Sequence, residues 1–182
     1  MRKISLSLYL IFFFSFFASG QLMVTKMIGK DANKYGTGFG FFAFFDLPMA
    51  SENQSIRLEL AEFAYYPTKG DGFFTADNGK GYISFKLGYK YVFSETATGF
   101  YLLPSAGAAS VMLAKEDEPE ADAAWGFAGA MEGGYQVEVG ERGHVINLGL
   151  KYEYDYAKQT HQIQSLGLRV SYSFGMFNRR EY

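Results

Sequence analysis

The stretch that decides the fold is "HVINLGLKYEYDY", residues 144–156, in which apolar and polar residues alternate almost without a break. The even positions from Ile146 to Tyr156 hold only apolar or aromatic residues. The odd positions hold small, polar or charged residues, which are Asn147, Gly149, Lys151, Glu153 and Asp155. A period of two predicts a β-strand with one apolar and one charged face. A soluble sheet buries the apolar face, whereas a membrane barrel turns it outward to lipid, so the question is which face lies inside.

The same alternation recurs in three other segments, which are 82–93, 124–139 and 165–176. In 82–93, apolar or aromatic residues at the odd positions alternate with Ser84, Lys86, Gly88 and Lys90. Alternation over about ten residues, repeated along the chain, predicts strands rather than helices.

Four further segments bring the number of predicted strands to eight, and these are 21–29, 36–47, 55–66 and 99–113. In 55–66, a bulge near Ala61 would move Phe63 and Tyr65 onto the apolar face. In 36–47, Phe occupies both parities, so the sequence leaves the facing of this strand open. The segment 21–29 is the weakest of the four and is included mainly because a barrel of this kind needs an even number of strands.

The segment 99–113 places Tyr101, Leu103, Val111 and Leu113 on one face. Pro104 lies within it and lacks the N–H that a ladder hydrogen bond requires. We therefore expect a local distortion of the sheet at Pro104.

The connections between the predicted strands alternate in length. Short ones (48–54, 94–99, 140–144) alternate with 67–80, the acidic 114–122 and 157–162. The contrast in length is clear at 67–80 and 114–122, whereas 157–162 is no longer than the short connections. Short turns at one end and longer loops at the other are typical of bacterial outer-membrane barrels.

The first 20 residues predict a signal peptide. Arg2 and Lys3 precede an apolar run, and small residues end at Gly20, where cleavage before Gln21 is expected. The run is shorter than a spanning helix needs and is interrupted by Ser. The sequence thus divides into a signal peptide, 1–20, and a barrel domain, 21–182.

Composition excludes several classes of function. A formal net charge of −2 gives no reason to expect a nucleic-acid partner. The chain contains no Cys, so disulfides, thiol chemistry and Cys-based zinc sites are excluded. The acidic run 116–122 lacks the ligand spacing and glycine of a calcium loop, so we expect no metal and no cofactor.

The predicted polar faces carry five basic and six acidic residues, which are Arg57, Glu59, Glu62, Lys86, Lys90, Glu132, Glu138, Lys151, Glu153, Asp155 and Arg169. An eight-stranded interior is only just wide enough for side chains. Apolar faces rich in Tyr, Phe and Leu would overfill it, whereas small and charged residues fit. We therefore predict an interior charge network that neutralises itself and plugs the lumen; a narrow gated ion path is the alternative.

Aromatic residues gather near the ends of the predicted strands. The set is Tyr89, Tyr91, Phe93, Tyr152, Tyr154, Tyr156, Tyr172 and Phe174. A soluble core does not require this arrangement, but a membrane barrel does, since aromatic girdles mark its two lipid interfaces. The sequence predicts an all-β, eight-stranded antiparallel up-and-down transmembrane barrel.

The chain resembles the small eight-stranded outer-membrane barrels of the OmpX, OmpW and OmpA-transmembrane-domain kind, and most of all the barrel-domain group common in Bacteroidetes. The segments that carry the resemblance are "GYISFKLGYKYVFSETATGFYLLPSAG" (81–107) and "INLGLKYEYDY" (146–156). The last strand resembles the signal that such proteins present to the barrel-assembly machinery, with Gly167, Val170, Tyr172 and Phe174. The sequence departs from the family by continuing past Phe174 as "GMFNRREY".

The resemblance implies a Gram-negative outer-membrane location, contact with outer-membrane lipid, and a surface or envelope role carried by loops whose partner is unknown. It transfers no catalytic residue, so we expect no enzyme. One alternative is a lipid-modifying barrel enzyme, which would require a pair such as His161 and Ser165 on the outer face. The other is a soluble, secreted, lipocalin-like ligand-binding barrel.

Overall fold

The computed structural model describes residues 21–51, 53–70, 79–95, 98–115, 118–140, 144–158 and 161–173. Its strands are β1 (Leu22–Met27), β2 (Thr37–Pro48), β3 (Gln54–Pro67), β4 (Gly79–Val92), β5 (Gly99–Lys115), β6 (Glu118–Val139), β7 (His144–Lys158) and β8 (His161–Ser173). Neighbours in sequence pair antiparallel, and β8 pairs with β1 to close the barrel. The predicted eight-stranded up-and-down architecture is confirmed. The predicted signal peptide, Phe174 and the residues after it lie outside the described residues.

The up-and-down topology gives the barrel two distinct ends. The connections after β2, β4 and β6 lie at the same end as Gln21 and Ser173, and we call this the turn end. The connections after β1, β3, β5 and β7 lie at the other end, the loop end. Within the described part of the chain, no helix is long and apolar enough to cross a membrane.

Two of the predicted connections, 114–122 and 157–162, are largely strand instead. β5 ends at Lys115 and β6 begins at Glu118, while β7 ends at Lys158 and β8 begins at His161. The prediction of a longer loop at 114–122 is therefore wrong. Antiparallel pairing uses backbone groups only, so a hairpin can continue past the apolar zone even where its residues are polar or acidic.

The bulge predicted near Ala61 is confirmed. On β2, Ala43 pairs with Ala61 and the next residue, Phe44, pairs with Glu59, so Leu60 is the extra residue. The bulge reverses the parity of β3. As a result Glu59 and Glu62 are both buried, although they are three positions apart.

The distortion expected at Pro104 is also confirmed. Between β4 and β5, pairing stops after Gly88 with Ser105 and resumes at Tyr91 with Leu102, without a change of register. The two β5 residues without a partner on β4 are Leu103 and Pro104. The loss of the proline N–H accounts for this interruption of the ladder.

The predicted shared face of 99–113 turns inward rather than toward the outside. Tyr101, Leu103 and Val111 are buried, whereas Phe100 and Leu102 are exposed. The interior is therefore not uniformly charged. An apolar cluster also lies inside the barrel, made of residues from β1, β2, β3, β4, β5 and β8: Met23, Met27, Phe42, Phe44, Ala64, Tyr66, Tyr82, Val111 and Ile163.

The alternating stretch 144–156, which lies in β7, has its charged face inside the barrel. Lys151, Glu153 and Asp155 are at most 2% exposed, whereas Leu148 and Leu150 are at least 50% exposed. The other strands follow the same rule, with large apolar side chains outside and most charged ones within. The molecule has its apolar surface on the outside.

Candidate functional site

The densest group of polar side chains in the described residues lies inside the barrel. Of the eleven residues predicted to face the lumen, all except Glu138 are buried, and Glu138 is half-buried near the turn end. Its backbone N–H donates to Thr98 Oγ1 at 3.0 Å. The structure brings the other ten together with side chains that the sequence reasoning did not include.

The centre of the interior holds two lysines among three glutamates. Lys86 Nζ lies 2.9 Å from Glu62 and 3.4 Å from Glu59, and it also donates to Glu153. Lys151 Nζ lies 2.6 Å from Glu153 and also donates to Glu62. Buried charges are tolerated only when paired and hydrogen-bonded, and this arrangement supplies both.

The Tyr82 hydroxyl joins the two sides of this centre. It lies 2.8 Å from one oxygen of Glu62 and 2.8 Å from one oxygen of Glu153. Ser84 accepts a hydrogen bond from Lys86 Nζ at 2.8 Å. The Tyr82 hydroxyl thus lies beside Glu62 Oε1, whereas the two lysines contact Glu62 Oε2, and Ser84 accepts one proton of Lys86.

Arg169 forms the next layer toward the turn end. Its Nη1 lies 2.8 Å from Glu59 and 2.5 Å from Glu132, and its guanidinium stacks 3.5 Å from the centre of the Phe42 ring. The Tyr101 hydroxyl donates to Glu132 at 2.5 Å. Arg169 thus combines two ion pairs with a cation–π contact.

The Tyr101 hydroxyl requires a glycine beside it. A Cβ at Gly149 would lie 2.5 Å from this hydroxyl and 2.6 Å from Glu132 Oε1. Gly149 therefore makes room for the Tyr101–Glu132 pair.

A second arginine lies nearest the turn end. Arg57 makes a bidentate pair with Asp46, with N–O distances of 2.7 and 2.6 Å, and stacks 3.7 Å from the Phe44 ring centre. Lys90 donates to Asn147 at 2.7 Å and lies 4.6 Å from the Tyr101 ring centre. The sequence reasoning missed Asp46 and both Phe platforms because Phe on both parities of 36–47 hid the inward face.

At the loop end, the segment 28–36 packs across the barrel mouth. Lys80 is buried, and its Nζ donates to Asp31 at 2.8 Å and to the Gln162 carbonyl at 2.5 Å. The Ile28 N–H donates to the Gln164 carbonyl and the Gly36 N–H to the Pro67 carbonyl, both at 2.8 Å. Lys80 could have been found from the sequence, because it shares the parity of Lys86.

Apart from the half-buried Glu138, these additions bring the interior charges of the described strand residues to six basic and six acidic side chains. The basic set is Arg57, Lys80, Lys86, Lys90, Lys151 and Arg169. The acidic set is Asp46, Glu59, Glu62, Glu132, Glu153 and Asp155. Asp155 differs from the rest, since neither carboxylate oxygen has a hydrogen-bond partner among the described residues.

The two histidines lie at opposite ends. His144 begins β7 at the turn end and stacks on Tyr172, with ring centres 5.6 Å apart, whereas His161 begins β8 at the loop end. His161 and Ser165 are both buried on the inward face of β8. A pair on the outer face, which the lipid-enzyme alternative requires, is therefore not formed by these residues. No three His, Asp or Glu side chains in the described ranges gather in a metal-binding arrangement.

The predicted aromatic girdle residues in the described chain all lie on outward positions. Tyr89, Tyr91, Phe93 and Tyr172 are near the turn end, together with Phe100 and Tyr135, whose rings meet edge to face at 5.0 Å. Tyr154 and Tyr156 lie near the loop end, their rings stacked 6.4 Å apart, and Tyr152 lies one step closer to the middle. Between them the outer face carries exposed Leu, Val and Phe side chains.

Comparison with known proteins identifies a structural likeness only. No family model matches the chain, and no curated protein matches it in sequence. Neisserial surface protein A matches with a TM-score of 0.64 and 11% identity, over 85% of this chain and 92% of that one. Ail, the attachment invasion locus protein of Yersinia pestis, matches with a TM-score of 0.45 and 16% identity, over 85% of this chain and 93% of that one. The chain has the fold of the small eight-stranded outer-membrane barrels. At this identity the likeness shows the fold and nothing about the interior or the loops.

Replacing a partnered and an unpartnered interior carboxylate should have different effects. Glu62→Gln leaves Lys86 and Lys151 without one of their shared anions, and we expect it to lower the free energy of unfolding by about 3–5 kcal/mol. Asp155→Asn removes no hydrogen bond between described residues, so we expect a change of less than about 1 kcal/mol. Urea titration of the folded barrel, followed by its tyrosine-dependent circular dichroism, measures both. Equal losses in the two variants would contradict this account of the network.

The Asp31–Lys80 contact predicts an acid-sensitive mouth. Burial acts to raise the pKa of Asp31, but the hydrogen bond and charge of Lys80, helped by Lys34, hold that pKa below its ordinary value. Because the folded-state pKa is the lower one, Asp31 stabilises the segment at and above the unfolded pKa and loses this effect as the pH falls through the folded pKa. We expect the amide NMR signals of Ile28 and Gly36 to lose their ordered positions as the pH falls through the folded-state pKa of Asp31.

A variant and a control separate this contact from general acid unfolding. Asp31→Asn should displace the same two signals already at neutral pH, whereas Glu95→Gln, at the turn end, should leave them in place. Unchanged Ile28 and Gly36 signals in Asp31→Asn would show that Lys80 does not hold the segment.

Proposed function

We propose that the chain is an integral outer-membrane β-barrel protein without catalytic activity, whose charged interior plugs the lumen and whose loop end carries an envelope or surface interaction. The observation that carries the proposal is the inverted polarity of the barrel. Large apolar side chains cover its outside, and paired charges fill its inside.

The outer surface supports a lipid environment. Every strand of the barrel exposes large apolar side chains. Soluble monomers do not expose an apolar surface of this extent to water. A closed barrel leaves no unpaired sheet edge between the strands that cross the apolar zone, as lipid requires. The same observation weighs against the lipocalin-like alternative, which would place the apolar faces inside.

The interior supports a plug rather than a path. Lys86, Lys151 and Arg169 are each bonded to carboxylates contributed by other strands, so side chains meet across the bore at several levels. The Arg57–Asp46 pair adds a further layer near the turn end. Opening the lumen would require several buried pairs to separate at once, which is costly in free energy.

The sequence supports the direction of insertion. A cleaved signal peptide ending at Gly20 would leave the start of β1 on the periplasmic side, together with the end of β8. In β8, Val170 faces outward and Gly167 inward, and we propose that this strand, with Tyr172 and Phe174, is presented to the barrel-assembly machinery. The loop end would then face the cell exterior.

Conductance tests the plug. We expect the purified protein in planar bilayers to show no steady open state, because the paired interior charges block the bore. The double variant Glu62→Gln/Lys86→Met removes one layer of the plug and should produce brief openings. Steady conductance in the unmodified protein would refute the plug and favour the narrow channel.

A charge on the outer face tests the lipid environment. We expect Leu150→Arg to make folding into lipid vesicles less favourable by about 2–4 kcal/mol, since Leu150 lies mid-strand on the outward face. Lys158→Arg at the loop end is the matched control and should change it by less than about 0.5 kcal/mol. A mature chain that stays soluble without detergent, and tolerates Leu150→Arg, would overturn the proposal; heat-dependent migration on a gel after membrane extraction would support it.

A further inference from the structure

Asp155 is the interior carboxylate that the described strands leave without a counter-charge. It lies on the inward face of β7 and is fully buried, at 0% exposure. Neither of its oxygens accepts a hydrogen bond, and the side chain forms no ion pair, within the part of the chain that the structure describes. Burying an ionised carboxylate is costly in free energy unless an opposite charge lies beside it.

The other interior charges are already matched. Lys80 donates to Asp31, in the connection after β1. Without Lys80 and Asp155, five interior cations and five interior carboxylates remain, and each lies against an opposite charge: Arg57, Lys86, Lys90, Lys151 and Arg169, with Asp46, Glu59, Glu62, Glu132 and Glu153. Lys86 and Lys151 both pair with Glu153, two positions from Asp155, and both also bind Glu62. The described interior therefore has one negative charge more than it has positive charges to pair with it.

The walls beside Asp155 supply neither a donor nor a positive charge. On one side Asp155 pairs with Ala128 of β6, which in turn pairs with Gly107 of β5. On the other side it pairs with Ile163 of β8. The inward positions of β6 at this level are all small, and they are Ala124, Gly126, Ala128 and Ala130. Because Ala and Gly are the smallest residues, this wall leaves more of the width of the bore beside the carboxylate than larger side chains would.

The loop end offers an acidic approach to this position. His161 and Ile163 are consecutive inward residues of β8, and Ile163 is the residue that pairs with Asp155. The Nε2 of His161 lies 3.3 Å from the carboxylate of Asp122, whose side chain is 52% exposed. A carboxylate in contact with solvent thus lies next to the buried residues around Asp155, and its charge attracts cations to this end of the barrel.

We propose that Asp155 binds one alkali cation, sodium or potassium, inside the barrel. A single positive charge matches the single unpaired carboxylate. A divalent ion does not fit, because no three His, Asp or Glu side chains of the described ranges gather as its ligands. Binding at Asp155 separates none of the interior ion pairs, since Asp155 takes part in none of those between described residues. This site goes beyond the proposed function, which assigns the interior no ligand.

The dependence of stability on the cation tests the site. The barrel is folded in detergent micelles, checked for heat-dependent migration, and unfolded with urea in different chloride salts. In sodium or potassium chloride at about 500 mM, the urea midpoint should exceed that in equal N-methylglucamine chloride by about 0.5 M or more, the shift expected of an ion at roughly ten times its dissociation constant. N-methylglucamine holds the ionic strength constant but is too large to enter beside Asp155.

Two variants assign the effect to Asp155. Asp155→Asn should have the same midpoint in all three salts, and in N-methylglucamine chloride it should match the unmodified chain. Glu95→Gln, at the turn end, removes the same amount of charge and should keep the full alkali-ion effect. An alkali-ion effect of equal size in Asp155→Asn would assign it to surface carboxylates and overturn the site.

Carbon-13 NMR of the chain labelled at its aspartate carboxyl carbons distinguishes an alkali ion from a proton. The signal that is missing from Asp155→Asn belongs to Asp155. We expect the chemical shift of an ionised carboxylate that moves saturably as sodium replaces N-methylglucamine. The signal of a protonated acid, unmoved by sodium and potassium, would overturn the site, as would equal urea midpoints of the unmodified chain in the three salts. Either result in a barrel that still migrates heat-dependently leaves the proposed function intact.

Discussion

The rest of the structure depends on the ion pairs that Lys86 and Lys151 make with the glutamates of β3 and β7. A closed barrel with apolar residues outside forces every alternate side chain into a bore that is only just wide enough for them. Charges placed there are shielded from water, and most of them lie against an opposite charge on another strand. The network therefore both fills the bore and fixes which strands lie opposite each other.

A single extra residue in β3 makes this network possible. Glu59 and Glu62 are three positions apart, so a regular strand would place them on opposite faces, one of them in the apolar outer surface. The bulge at Leu60 returns both to the interior and keeps Phe63 and Tyr65 outside. Deleting one residue at this point should therefore change the polarity of half a strand rather than simply shorten it.

The sequence was sufficient for the fold and for most of the interior charges, because both follow from the period of two along single strands. It did not predict contacts across the bore: Lys86 and Glu153 are far apart in sequence and meet only through barrel closure. The cation–π platforms Phe42 and Phe44 were hidden, since Phe also occupies the outward positions of β2. The loop lengths were misjudged at 114–122 because hairpin pairing continues wherever backbone groups meet, whatever the side chains are.

A filled and paired interior also limits where a function can lie. Side chains locked to partners on several strands cannot rearrange singly, so ligand binding at these side chains would have to break buried ion pairs. The same rigidity benefits the loop end, because β5 and β6 continue out of a fixed barrel and hold their outer residues in a defined direction. A short hairpin alone is only marginally stable in water, whereas this one is an extension of strands already anchored below. The paired interior and the β5–β6 hairpin are therefore connected, because the hairpin continues from strands that the interior ion pairs hold in place.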